Sequence, residues 1–302
     1  GLKGEVIVPS YTFIATAHAL SWQGITPVFA DIDPDTHNLD PESVRNKITS
    51  NTTAILGVHL WGRVAPVEEL RQIAKQYNLK LLFDAAHAFG CSHNSTMVGN
   101  FGDCEVFSFH ATKFFNTFEG GAVLTNDDQL AEKVRLMRNF GFEGMDNVVH
   151  LGINGKMTEI SAAMGLVNIN SIKDVINTNQ QNYFAYKKEI DKIKNITLFQ
   201  INQKESNNYQ YIVLELNGNL VSKRDEIIRV LHAENVKARR YFWPGCHRMQ
   251  PYREQNHAGK EHLINTEKVA ERVIVLPTGK AVSVNDIEII TDIIRVGKKG
   301  AA

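Results

Sequence analysis

The sequence predicts an α/β fold built on a mostly parallel sheet, followed by a smaller α+β unit. Two observations carry this expectation. From residue 5 to residue 123, short β-rich apolar runs alternate with stretches of helical spacing. Strands that are almost continuously apolar and separated by helices indicate a parallel sheet covered on both faces. Around residues 150–175 the pattern shifts to long helical stretches, and beyond them strand-like and helical runs mix. A chain of 302 residues suits two domains better than one. The expected division is a large domain over residues 1–165 and a small C-terminal domain over 166–302.

Each element follows from its local pattern. EVIVP reads as a strand and TFIATAHALSWQ as a helix; ITPVFADI is strand-like, and DPESVRNKI is a helix opened by Asp40 with Pro41 in its first turn. TAILGVHL is a strand and APVEELRQIAKQYN a helix with Pro66 near its start. KLLFDA, CEVFSFH and GGAVLTN follow as strands, and DQLAEKVRLMRN is a helix behind Asn126 and Asp127. MTEISAAMGLVNINSI and YFAYKKEIDKIK are helical. The remainder alternates the strand-like runs ITLF, YQYIVLEL, KARRYF and VIVL with the helices KRDEIIRVLHAENV, NTEKVAERVI and VNDIEIITDIIRV. There is no internal repeat, low-complexity tract or flexible linker, so a helix is the expected boundary.

Composition narrows the function classes. Hydrophobic content of 43% and charged content of 22% are those of an ordinary globular chain rather than a disordered one. The net charge of zero, with no run of like charges, gives no reason to expect a nucleic-acid or acidic-membrane partner. Cys91, Cys104 and Cys246 are odd in number and widely spaced, which speaks against a disulfide framework and against structural zinc, and fits a cytoplasmic location. No apolar run approaches the roughly 18 residues of a membrane-spanning helix.

Ligands of doubly wound sheets bind beyond the carboxyl ends of the strands, and two such ends carry polar clusters. LKLLFDAAHAFG ends a strand with Asp84 and places His87 three residues on; CEVFSFHATK ends the next with Ser108, His110, Thr112 and Lys113. A lysine beside Phe114 and Phe115 loses solvation as a cation, which lowers its pKa and makes the nucleophilic neutral amine accessible. Neutral amines form Schiff bases with carbonyls, as pyridoxal 5′-phosphate (PLP) enzymes require. PLP also needs an anion at its pyridine nitrogen, a role that suits Asp84, phosphate donors such as Ser108, and a flat group to stack on its ring, for which Tyr11-Thr12-Phe13 stands at another strand end. Taken singly, each residue has a plainer reading: a solvated lysine, Asp84 as a helix cap, His87 as a core histidine, Gly120-Gly121 as a turn. No dinucleotide or NTP loop is present, and His87, His93 and His110 lack further ligands at metal-binding spacing.

The ordered series VPSYTFIAT, FDAAHAFG, FSFHATKFFNTFEGGAVLTND, RNFGFEG and LGINGKMTEISAAMG resembles the DegT/DnrJ/EryC1/StrS aminotransferases across essentially the whole chain. These are fold type I PLP enzymes that aminate nucleotide-linked keto sugars. The resemblance implies Lys113 as the Schiff-base and proton-shuttling residue. It implies Asp84 at the pyridine nitrogen, His87 near the ring's 3-hydroxyl, Ser108 at the phosphate and Phe13 stacked on the ring. Asn154 of GINGKM is expected to reach the PLP phosphate of a neighbouring subunit, hence a homodimer with shared active sites. A family subset that dehydrates its sugars has histidine in place of the lysine, so Lys113 favours transamination. The expected substrates are glutamate as amino donor and an NDP-4-keto-6-deoxyhexose, with a 3-keto sugar, a cyclitol or a non-catalytic regulatory role as alternatives. KARRYFWPGCHRMQPY matches a segment that approaches the sugar nucleotide in this family, making Arg239, Tyr241 and His247 substrate candidates, with Arg63 of VHLWGRVAP another. The family's helix and phosphate loop upstream of VPSYTF lie outside this sequence, so part of the N-terminal fold is expected to be missing and PLP affinity reduced.

Overall fold

The computed structural model describes residues 1–255 and 262–299. The N-terminal half alternates β1 (Glu5–Pro9), α1 (Ala15–Ser21), β2 (Thr26–Ala30), α2 (Pro41–Asn46), β3 (Thr52–Val58), α3 (Val67–Tyr77) and β4 (Lys80–Asp84). A two-stranded hairpin, β5 (Ser92–His93) and β6 (Thr96–Met97), precedes β7 (Cys104–Ser108) and β8 (Gly121–Leu124). The six-stranded sheet runs β2-β1-β3-β4-β7-β8. It is parallel except at its edge, where β8 pairs antiparallel with β7. That pairing brings the backbones close at Gly121, where a Cβ would lie 2.6 Å from the Phe107 carbonyl oxygen. Asp40 caps α2 by accepting from the Glu42 N–H, with Pro41 at the first helical position, as the sequence predicts.

Ile7, Ile55, Leu70, Ile73, Leu81 and Phe83 form the centre of the core on one side of the sheet. On the other, coverage stops short of the β8 edge: Val106 and Val123, cross-strand partners, are each 46% exposed. The helix after β8, α4 (Asp128–Met137), buries none of its side chains. At this edge of the single chain that face of the sheet is only partly covered.

A second hairpin, β9 (Phe142–Glu143) with β10 (Asn147–Val148), leads to α5 (Glu159–Asn170) and α6 (Ile172–Ile190). These helices connect the large sheet to an antiparallel three-stranded sheet of β11 (Ile196–Leu198), β12 (Ile212–Leu216) and, later in the chain, β13 (Val273–Leu276). Between β12 and β13 come α7 (Arg224–Ala233), α8 (Gln250–Gln255) and α9 (Ile264–Arg272), and α10 (Val284–Lys299) closes the unit. Its core joins Tyr186 of α6, Leu214 of β12, Leu231 of α7, Ile274 of β13 and Ile287 of α10. KARRYF, expected as a strand, makes only an isolated bridge from Arg239 to Val275 and then turns, since Pro244 and Gly245 follow at once. No helix among the described residues is long and apolar enough to cross a membrane.

Candidate active site

The order β1-β3-β4-β7 brings four carboxyl ends side by side, and each continues into a polar segment. Tyr11, Thr12 and Phe13 follow β1; Trp61 follows β3; Asp84 ends β4 with His87 beyond it; Ser108 ends β7 with Lys113 beyond it. Asp84 and Val106 are register partners, so the carboxylate and the segment leading to the lysine are neighbours by construction.

The phenylalanines that flank Lys113 anchor its loop. Phe115 is buried and stacks on Phe89 at 4.8 Å, edge-on to Phe109 at 5.0 Å. The Phe114 N–H donates to Gln210 Oε1 (3.1 Å), Asn116 Nδ2 to the Lys113 carbonyl (3.2 Å), and Asn168 Nδ2 to the Asn116 carbonyl (2.8 Å). The amine itself is half-buried and lies 3.4 Å from the Tyr211 hydroxyl. Burial pushes its pKa below the ordinary lysine value, and the Asp84 carboxylate partly offsets that shift. A lysine so placed is more nucleophilic at a given pH than a solvated one.

Asp84 accepts from Thr16 Oγ1 at 2.7 Å and from the Ala86 N–H at 3.0 Å, and Thr12 Oγ1 stands 3.0 Å behind Thr16 Oγ1. The residues after it form turns rather than the helix AAHAFG that would make it a cap. His87 is buried, stacked on Trp61 (5.7 Å) and close to the Tyr211 ring (4.4 Å). Burial, reinforced by the Lys113 charge, holds its pKa well below the ordinary histidine value, so the ring is neutral. Ser108 is half-buried with its hydroxyl 3.4 Å from the His110 N–H. Phe13 is 55% exposed, its ring edge-on to Phe242 at 6.4 Å.

The other sequence candidates separate. Tyr241 stacks on Phe242 (4.9 Å) beneath the Arg239 guanidinium (4.9 Å), and Phe242 in turn stacks on Trp61 (5.3 Å), so this pair stands beside the His87 rim. His247 is 0% exposed, with Nδ1 2.6 Å from Ser10 Oγ and Nε2 3.2 Å from Glu267, which ties the C-terminal unit to the end of β1. Arg63 donates to the carbonyls of Asp35 (3.0 Å) and Gln200 (2.6 Å) and lies over the Phe199 ring. Asn154 is exposed and bridged to Asn139. Sequence reasoning missed Thr16, Trp61, Tyr211 and Gln210. For Trp61 a signal existed, an aromatic followed by glycine beyond a strand's carboxyl end; for Tyr211 and Gln210, which lead into β12 of the other unit, none did. Beside Lys113 opens a cleft of about 420 Å³, lined among others by Thr112, Asn116, Asn168, Gln210, Thr278 and Lys280. No group of described residues could hold a metal ion.

The donor set fits PLP: an amine of lowered pKa, a carboxylate one strand away, a neutral imidazole, a strand-end hydroxyl and a solvent-facing aromatic ring. Lys113, Asp84, His87, Ser108 and Phe13 are the residues available to hold it. When bound, PLP supplies an electron sink for negative charge on the carbon that carries the amine. Such a rim meets the requirements of a PLP-dependent enzyme.

Comparison with known proteins narrows the class. The DegT/DnrJ/EryC1/StrS aminotransferase family matches residues 1–295, and the chain belongs to that family. The dTDP-4-amino-4,6-dideoxy-D-glucose transaminase of Shigella dysenteriae is 37% identical over 295 residues, spanning 98% of this chain and 80% of the relative. The GDP-perosamine synthase of Caulobacter vibrioides is 33% identical, over 95% of this chain and 77% of the relative. Among solved structures, DesI in the presence of its TDP-sugar product superposes with a TM-score of 0.93 at 46% identity, covering 99% of this chain and 76% of that one. The chain is thus an aminotransferase of a PLP-dependent family, and the relatives it matches are named for nucleotide sugars.

Proposed function

We propose that this aminotransferase moves the amino group of glutamate onto C4 of an NDP-4-keto-6-deoxyhexose, working as a homodimer with shared active sites. The observation that carries the proposal is the cleft beside Lys113. Its lining of carboxamides and hydroxyls (Asn116, Asn168, Gln210, Thr112, Thr278) suits a polyhydroxylated sugar, and Lys280 suits a phosphate. In this reading Lys113 moves the proton at the reacting carbon, Asp84 holds the ring nitrogen, and Arg239 with Tyr241 contacts the nucleotide end. The 4-amino product named for the Shigella relative supports C4. A second reading, amination at C3, has support from a relative of Aneurinibacillus thermoaerophilus, a dTDP-3-amino-3,6-dideoxy-alpha-D-galactopyranose transaminase 32% identical to this chain. Incubation with glutamate and a panel of nucleotide keto sugars, followed by NMR location of the new amine, decides between them. The C4 reading predicts an amine at C4, and an amine at C3 overturns it.

The dimer has its own support. Around exposed Asn154 stand Leu151 (94% exposed), Met145 (92%), Ile153 and Ile160 (71% each) and Leu166 (70%), more unpartnered apolar surface than a monomer usually shows. If Asn154 serves the neighbour's phosphate site, mixing inactive Lys113→Ala with inactive Asn154→Ala restores activity through hybrid dimers. An active Asn154→Ala variant, or a mixture without activity, contradicts shared sites.

A further inference from the structure

The protonation pattern around His87 assigns a function to a residue that touches no reacting group. The only side-chain hydrogen bond of His87 among the described residues is the one its Nδ1 accepts from the Trp61 main-chain N–H at 3.3 Å. A peptide N–H can only donate, so Nδ1 carries no proton. The ring is neutral, so its single proton sits on Nε2. His87 therefore presents a donor, not an acceptor, at its free nitrogen.

That outcome depends on where the Trp61 N–H points, and the backbone there is unusual. Trp61 has φ 60 and ψ 12, a left-handed conformation that bulky side chains rarely adopt. Its side chain is held at three places. The indole Nε1–H donates to His37 Nδ1 at 3.1 Å, the ring stacks on Phe242 at 5.3 Å, and the residue is buried. The other ring nitrogen of His37, Nε2, lies 3.2 Å from Glu215 Oε1 without hydrogen-bond geometry. Glu215 in turn is fixed by Arg272 at 2.8 Å. Directional hydrogen bonds thus run from the Trp61 indole to His37 and from the Trp61 main chain to His87, with Glu215 close to His37 through an ion-pair contact.

We propose that Trp61 is a positioning residue: its left-handed main-chain N–H, pinned by the indole bond to His37, locks His87 in the Nε2–H tautomer and makes it a donor to the phenolic oxygen of PLP. The inference rests on the PLP reading of the site, but the tautomer of the PLP-free chain is read independently of it. Long-range proton–nitrogen correlation spectra of histidine-labelled full chain, recorded without and then with PLP, read the tautomer directly. At neutral pH and above, wild type shows a proton on His87 Nε2 and none on Nδ1 before PLP is added, and PLP shifts the Nε2 proton. A proton on Nδ1 in the PLP-free chain overturns the assignment. So does an Nε2 proton that PLP leaves unmoved while the protein demonstrably binds it. Failure of PLP to bind at all, read separately by absorbance, is instead a failure of the cofactor reading.

Variants isolate Trp61. Trp61→Phe keeps the stack on Phe242 and loses the indole donor, so an Nδ1–H population emerges; an unchanged tautomer in this folded variant overturns the role given to Trp61. Trp61→Gly and Trp61→Ala also lose the indole anchor, so both show the Nδ1–H population. A wild-type tautomer in the folded Gly and Ala variants contradicts the dependence on the indole anchor.

Discussion

Thr16→Val is the perturbation that probes the carboxylate end of the site with least collateral change. Thr16 is buried on α1, and its hydroxyl donates to Asp84 Oδ2 at 2.7 Å. Valine preserves shape and volume, so no cavity opens, but one carboxylate oxygen loses its donor and the Thr12 hydroxyl loses its neighbour at 3.0 Å. A hydrogen bond to a charged group contributes about 1.5–3 kcal/mol. If Asp84 must hold a protonated ring nitrogen, that loss falls on the step that stabilises carbanionic charge and corresponds to roughly 10- to 100-fold in kcat/KM. Steady-state transamination kinetics, with circular dichroism to confirm folding, give the measurement. A folded Thr16→Val protein with kcat/KM within about twofold of wild type, a difference well under 1 kcal/mol, refutes the placement of Asp84 at the ring.

Further outcomes follow from other contacts. Because burial lowers the Lys113 pKa, the rate of PLP uptake rises with pH from below the range of an ordinary lysine; an onset at the solvated-lysine value contradicts the burial argument. Arg63→Ala removes donors to two carbonyls and a cation over Phe199, so it lowers unfolding free energy by about 1–3 kcal/mol and leaves substrate KM unchanged; a raised KM in a protein of wild-type stability reverses this. Buried Glu105 has its pKa raised to about 7 by burial, against donation from the Gly99 and Phe101 N–H groups. Its stabilising contribution is complete below the unfolded carboxylate pKa and is lost as pH rises through about 7. Urea unfolding of Glu105→Gln therefore shows the variant gaining on wild type from mildly acidic to mildly alkaline pH, and a constant difference contradicts the raised pKa.

The fold was legible where local pattern and packing agree. The alternation of apolar runs and helices gave the order of β1 to β4, and Asp40-Pro41 gave the start of α2 because capping is a short-range device. The antiparallel edge strand β8 was not legible, since period and composition do not record strand direction. KARRYF looked like a strand because its residues favour one, yet only Arg239 meets a partner. In the site, strand-end chemistry pointed to Asp84, His87, Ser108 and Lys113. Tyr211 and Gln210 reach Lys113 from almost a hundred residues away in sequence, through the packing of one unit on the other. His247, a substrate candidate through the family resemblance of its segment, is buried between Ser10 and Glu267, a placement that its sequence neighbours do not reveal.

The most direct test of the account is the absorbance spectrum of the purified chain with added PLP, compared with Lys113→Ala. Wild type is expected to show a visible band of lysine-bound PLP, and Lys113→Ala to lose both the band and amine transfer. A Lys113→Ala protein that keeps the band and continues to transfer the amine contradicts the assignment of Lys113 and the site built around it.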